Sequence, residues 1–371
     1  MIFIFLSLLL LVALLYKFLT SDGDFTLMSK RHAKREEIED KVVWITGASR
    51  GIGEVLAKQL ASLGAKLILS SRNEAELERV KNQLTGKHAP GEVKIIPLDL
   101  ASGEEFLKEA VEKAESFFSG AGVDYMIHNA AYERPKSTAL DVNEESLKAT
   151  FNINVLGPIS LTRLLASSML SRGRGHFVVM SSAAGKTPTP GQAIYSASKF
   201  ALNGYFHSLR SEFVPIETKW GIRSLFSWSI PPSVHQDTYL KQTSEPNYIS
   251  QDAQEAILWL CQKGIKVTIV CPGPIETSNG FGSTTSGKKG TFERRVSSER
   301  CAELTIIAAT HGLKEVWISD QPVLAVLYLV QYMPTVGYWL MDKIGGNRLA
   351  AAAQKGNTYS LSLLFGKKKA T

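Results

Sequence analysis

The run Val42-Val43-Trp44-Ile45-Thr46-Gly47-Ala48-Ser49-Arg50-Gly51-Ile52-Gly53 decides the fold. Val42 to Thr46 are β-branched or aromatic and read as a buried strand. Glycines at 47, 51 and 53 let the chain turn tightly, and the following EVLAKQLASLG has the apolar spacing of an amphipathic helix. Such a turn lets backbone approach a pyrophosphate at a helix N-terminus, where free N–H groups and the helix dipole favour an anion. A Gly-rich turn alone says little, but between a strand and a helix at the start of the fold it points to a dinucleotide. Its residues are Gly47, Ser49, Arg50, Gly51, Ile52 and Gly53.

Working outward, short β-branched runs alternate with amphipathic segments. Strands are expected at 42–46, 66–70, 93–98, 125–128, 176–181, 266–271 and 315–318. The pattern predicts an α/β fold: a single Rossmann-like, doubly wound parallel sheet of about seven strands. The second strand ends Leu-Ile-Leu-Ser-Ser-Arg72, where an NAD site would place a carboxylate for the ribose 2′-OH. Arg72 stands there instead and Arg50 lies in the turn, two guanidinium groups suited to a 2′-phosphate. NADP(H) is therefore expected over NAD(H).

Tyr195 and Lys199 lie four apart on a helical pattern and so share a face. A neighbouring ammonium favours phenolate and lowers a tyrosine pKa toward working pH. Ser182 closes the strand HFVVMSS, at the sheet edge where such folds carry their ligands. A Tyr-xxx-Lys pair alone usually marks a surface helix; with the glycine turn and this serine, chance is a poor explanation. His128 and His176 read as structural, the cysteines 261, 271 and 301 as reduced and ordinary, and no residue spacing suggests a metal.

Together these motifs resemble the short-chain dehydrogenase/reductase family over about residues 41–320, in its TGxxxGxG variant. The resemblance implies Tyr195 as general acid/base, Lys199 on the nicotinamide ribose, Ser182 holding the substrate oxygen, and Asn154 in a kinked helix that retains a water. Asn152 is the competing choice for that asparagine. By the same resemblance Asp99 contacts adenine, Asn129 belongs to the motif after the fourth strand, and Pro272, Gly273, Ile275 and Thr277 form the turn beneath the nicotinamide. One departure stands out: the motif reads Asn129-Ala130-Ala131 where the family has Asn-Ala-Gly, so a slightly displaced turn is expected. The expected reaction interconverts a carbonyl and an alcohol on a small, lipophilic molecule such as a steroid, retinoid or xenobiotic. A non-catalytic nucleotide-binding membrane scaffold is the competing reading, opposed by the intact Ser182, Tyr195 and Lys199.

Residues 1–19 are apolar up to Lys17 and lack the basic start of a signal peptide, so they are expected to be an N-terminal membrane anchor. Lys17, Lys30, Arg31, Lys34 and Arg35 follow it and no basic residue precedes it, which places the catalytic domain in the cytosol. Lys368 and Lys369, fourth and third from the end, resemble a dilysine address for the endoplasmic reticulum membrane. Residues 20–40 are expected as a linker and 321–371 as an apolar tail, on the membrane surface or packed on the domain. The tail resembles a membrane-bound branch of the family. An insert at 214–263 interrupts the rhythm and reads as a partner-binding excursion or a retained non-coding stretch, while 272–300 is expected to be a substrate lid. The net charge of +7 is scattered, which argues against nucleic acid; a homodimer is compatible with the fold.

Overall fold

The computed structural model describes residues 2–86, 88–133, 139–188, 190–212, 264–276 and 295–343. Its centre is a seven-stranded sheet in the order β3-β2-β1-β4-β5-β6-β9, every neighbouring pair parallel. The strands are β1 (Val42–Thr46), β2 (Lys66–Ser71), β3 (Val93–Pro97), β4 (Tyr125–His128), β5 (Gly175–Met180), β6 (Ile265–Pro272) and β9 (Glu315–Ile318). All seven expected strands are present, with ends moved by a residue at most. Two-residue strands β7 (Ile275–Glu276) and β8 (Val296–Ser297) pair with each other and bracket residues 277–294. Most of the expected lid, Thr277, the 214–263 insert and the dilysine lie outside the described residues.

The alternation of each strand divides two cores. Val42 and Trp44 of β1 face one side with α5 (Glu104–Gly120), α7 (Gly157–Ser171) and α8 (Ala193–Glu212). Val43 and Ile45 face the other with α3 (Gly51–Ser62), α4 (Glu74–Lys81) and α9 (Ser298–Thr310). Strand order reverses between β1 and β4, and a crevice opens at such a switch point beyond the carboxyl ends of the strands.

Two helices are unusually apolar. Residues 144–171, comprising α6 (Glu144–Phe151), a π-helical turn (Asn152–Leu156) and α7, are long and apolar enough to cross a membrane, yet half of that apolar stretch is buried in the domain. By contrast α1 (Ile2–Leu19) is exposed along its length, as at Phe3 (85%) and Leu11 (62%).

The stretch 20–40, expected as a linker, is docked on the domain. Asp24 caps the short helix α2 (Phe25–Met28) and accepts the Trp317 amide (2.6 Å), while Gly23 bridges Ile318 in antiparallel fashion. Leu27 and Ile38 are buried, and Asp22 pairs with Arg300 (2.7 Å). Helix α10 (Val323–Tyr332) packs through Val323, Leu324 and Leu327 into the core. Residues 334–343 are again helical and turn back on α10, where a Cβ at Gly337 would lie 2.8 Å from Val330 Cα.

Candidate active site

At the switch point lies a cleft of about 640 Å³, lined by Gly47, Ser49, Arg50, Gly51, Ile52, Arg72, Asp99, Asn129, Ala131 and Tyr195 among others. The sequence motifs point to all of these residues, and the fold brings them together. Gly47 and Gly51 have φ of +68° and +58°, the left-handed region that glycine occupies without strain. A Cβ on Gly53 would sit 2.2 Å from Gly47 O, so only glycine lets helix and turn approach this closely. Asn129 at the end of β4 fixes the turn: its side-chain amide donates to Thr46 O (3.0 Å) and Gly47 O (3.1 Å). The amides of Asn129 and Ala130 both donate to Thr46 Oγ1. Ala131 has no positive φ, so its methyl brings no backbone strain.

These features fit a dinucleotide. Helix α3 begins at an extended Arg50 with no side-chain cap, which leaves its first N–H groups for an anion. The side chains of Arg50 and Arg72 are exposed and form no hydrogen bond or ion pair among the described residues. Asp99 lines the same cleft, with its carboxylate accepting the Ala101 amide (3.0 Å).

Sequence reasoning missed the support behind this end. Arg79 donates to Ser49 O (3.0 Å), to both carboxylate oxygens of Glu54 and to Glu76 (2.8 Å). It thereby ties the glycine turn to α4 and neutralises Glu76, an acid in the cleft wall. The Arg79 pair holds the Glu54 carboxyl below its ordinary range. The signal available was faint: Glu54 and Arg79 sit on neighbouring helices, a relation that linear spacing does not encode.

At the other end, α8 carries Tyr195 in the cleft wall and Lys199 one turn further on, its Nζ 5.6 Å from the Tyr195 ring centre. Lys199 is 1% exposed and donates to Met180 O (2.8 Å) at the end of β5. Burial pushes its pKa down to about 8, partly opposed by Cys271 and Glu133. Ser182, two residues past β5, opens the short turn Ala183–Gly185, and its hydroxyl accepts the Ala184 amide (3.1 Å). Asn203 on α8 holds that turn by donating to Gly185 O (3.0 Å).

Asn154 is buried in the π-helical turn. Its amide nitrogen donates to Tyr132 O (3.0 Å) and Ser198 Oγ (3.1 Å), and its oxygen accepts from Tyr132 N (2.7 Å). Ser198 Oγ in turn donates to Tyr195 O (2.7 Å), so one chain of bonds runs from Asn154 to the tyrosine's backbone. Asn152, the rival assignment, contributes the carbonyl of the π turn's closing bond to Gly157 N. Ser198 and Tyr132 were not anticipated: a serine inside a Tyr-xxx-Lys pair looks like filler until the helices are packed.

Beneath the cleft Gly273 donates to Ile318 O (2.8 Å), and a Cβ there would lie 2.4 Å from Ser319 Oγ. Pro272 ends β6 and Ile275 begins β7. Buried His128 and His176 bond Thr162 and Thr268, and desolvation lowers each to about 3, so both are neutral supports. Burial raises the Cys271 and Cys301 thiols to about 12, which leaves them unreactive at neutral pH. Among the described residues no group of three His, Cys, Asp or Glu is arranged to hold a metal.

Comparison with known proteins agrees with this geometry. The short chain dehydrogenase family model matches residues 41–223. Human Dehydrogenase/reductase SDR family member 7 is 34% identical over 354 residues, spanning 92% of this chain and 90% of that protein. Sesamum indicum 11-beta-hydroxysteroid dehydrogenase A is 34% identical over 180 residues, 48% of this chain and 50% of its own length. A metagenomic short-chain oxidoreductase solved in complex with NADP superposes with a TM-score of 0.52 at 22% identity, over 76% of this chain and 97% of that one. The chain belongs to the short-chain dehydrogenase/reductase family and is an oxidoreductase.

Proposed function

We propose that the protein is a membrane-anchored, NADP(H)-dependent enzyme that interconverts a carbonyl and an alcohol on a small lipophilic substrate, with Tyr195 as proton donor. The observation that carries this reading is the placing of Tyr195 in the wall of the dinucleotide cleft with a fully buried ammonium one helical turn behind it. Gly47, Ser49, Arg50, Gly51, Ile52 and Gly53 would hold the pyrophosphate, Arg50 and Arg72 the 2′-phosphate, and Asp99 the adenine. Asn129, Pro272, Gly273, Ile275 and Thr277 would shape the nicotinamide end. The bound nicotinamide supplies or accepts the hydride. Tyr195 gives its proton to the carbonyl oxygen as charge develops there, and Ser182 hydrogen-bonds the same oxygen. Lys199 stabilises phenolate and holds the ribose, and Asn154 keeps the helix around Tyr195 in place.

The lipophilic substrate is supported by the exposed apolar α1 and by the steroid activity in the name of the sesame relative. An uncleaved anchor in the endoplasmic reticulum membrane, with the domain in the cytosol, follows from the basic residues after α1 and the dilysine. The direct test is a panel of carbonyls and alcohols with NADPH, NADP, NADH and NAD on the detergent-purified full chain. NADPH-dependent reduction of lipophilic carbonyls is expected; turnover restricted to NADH would overturn the cofactor assignment.

A further inference from the structure

The docked N-terminal segment fixes where α1 leaves the domain. Asp22 to Asp24 run antiparallel beside the end of β9: Gly23 bridges Ile318, the Asp24 amide donates to Trp317 O (2.9 Å), and the Ser319 amide donates to Asp22 O (3.0 Å). Because this segment runs opposite to β9, the residues before it lie beyond the carboxyl end of that strand. That is the edge at which the cleft opens. Ile318 is paired with Pro272 of β6, and the Ser181 amide donates to Val270 O, so Ser182 stands two strand spacings from β9 and three from the docked segment. At the ordinary strand spacing the docked segment is roughly 14 Å from Ser182.

A second feature lies at the same place. Phe18 at the base of α1 stacks on Phe25 (5.2 Å), and both rings meet Tyr328 of α10, which stacks on Tyr332. Gln321 donates to Phe18 O (3.1 Å), so the helix base is held at several points. From Val323 to Met341 the chain has no charged residue. Its helical hairpin leaves Tyr332 (75%), Met333, Val336, Tyr338 and Trp339 (54%) exposed beside that base, with the Lys343 ammonium over the Trp339 ring. Exposed Tyr and Trp ending in a cation are the composition of a membrane–water boundary.

We infer that the lipid bilayer covers the catalytic edge of the sheet beside β9, seated on the 323–343 hairpin, so that a lipophilic substrate reaches the cleft from the lipid. This rests on the anchor reading for α1, whose 18 residues span about 27 Å, close to a hydrocarbon core. The anchor then tethers the domain in one orientation, and the helix-to-strand edge faces water.

The test is energy transfer in the full chain, with Cys261 replaced by Ser, reconstituted in phosphatidylcholine nanodiscs that carry an acceptor dye on a headgroup lipid. Donor dyes are placed through Tyr338→Cys on the hairpin, Leu140→Cys on the exposed loop after β4 at the catalytic edge, and Gly91→Cys before β3 at the opposite edge. An added side chain at Gly91 meets nothing within 4 Å. Transfer at Tyr338 and Leu140 is expected to exceed that at Gly91 severalfold. Equal or greater transfer at Gly91 overturns the orientation. Alkaline extraction of the same membranes separates the two readings: a chain that resists extraction but shows no such difference loses only the orientation, whereas an extracted chain loses the anchor as well.

Discussion

The two ends of the cleft are built differently. Around Tyr195 the supporting groups are buried and joined to one another: Lys199 to Met180, Asn154 to Ser198, Ser198 to the Tyr195 backbone, Asn203 to Gly185. Around Arg50 and Arg72 the guanidinium groups are exposed and form no hydrogen bond or ion pair among the described residues, while the backbone beneath them is clamped by Asn129 and Arg79. A proton donor must be preorganised, since reorganisation during the reaction would raise the barrier. A phosphate-binding cation can remain hydrated until its ligand arrives. Substitution of the proposed proton donor at the first end should therefore act on rate, and that of the exposed cations at the second on binding, while Lys199, proposed to serve both the tyrosine and the ribose, should act on both.

The sharpest break in that contrast would come from Tyr195→Phe. It removes one hydroxyl and leaves the ring, so turnover should fall roughly 10²- to 10⁴-fold while NADPH affinity stays within about twofold. Stopped-flow turnover with fluorescence titration of NADPH measures both. A rate within tenfold of the parent would remove Tyr195 from the mechanism.

At the other end the signature should invert. Replacing Arg50 and Arg72 by Gln leaves the backbone cradle and takes away the charges, so NADPH affinity should weaken on the order of 10- to 100-fold, with NADH and kcat changed by less than about threefold. Equal losses for the two cofactors would show that these residues contact the shared pyrophosphate and not the 2′-phosphate.

How much of this was visible beforehand differs between the two ends. The strands and the glycine turn were legible because β-branched runs and positive-φ glycines are local requirements written in adjacent residues. Tyr195, Lys199 and Ser182 were legible because a helix face and a strand end are short-range patterns. Asn154, by contrast, came only through family resemblance; its bonds to Tyr132 and Ser198 join distant parts of the chain. Arg79 went unseen for the same reason, and 20–40 looked like a linker because one buried Leu27 and one Ile38 in a polar stretch carry little periodic signal. Its docking depends on backbone pairing with β9, which composition does not record.

A smaller effect concerns pH. Lys199 titrates near 8 in the fold against 10.5 unperturbed, because burial disfavours its charge. Below about 8 the ammonium is present to serve the roles proposed for it at the tyrosine and the ribose. As pH rises through 8 its population falls about tenfold per unit, and NADPH affinity in the free enzyme should decline with it. Stability runs the other way: between about 8 and 10.5 the unfolded chain binds the extra proton, so this group's contribution to stability rises with pH. Titrating NADPH at pH 7 to 10 against Lys199→Met should show the slope in the parent and a weaker, flat affinity in the variant. A parent profile flat to pH 10 would mean the lysine is not as desolvated as its position implies.

The smallest effect is expected from a region that belongs to neither end. Residues 214–263 lie outside the described structure, but their points of attachment do not. Helix α8 ends at Glu212 and the chain resumes at Gly264, where an added Cβ would lie 3.7 Å from Gly173 O, just before β5. Both connect a helix to a strand, the edge opposite the cleft. An insertion there costs loop-closure entropy, which grows only with the logarithm of length, and it need not disturb either set of bonds described above. Deleting residues 216–262 and joining the ends should leave NADPH affinity and turnover within about twofold of the parent. Loss of NADPH binding on deletion, in a chain that still unfolds cooperatively, would place part of the insert at the cleft and end the division of the site into two self-sufficient halves.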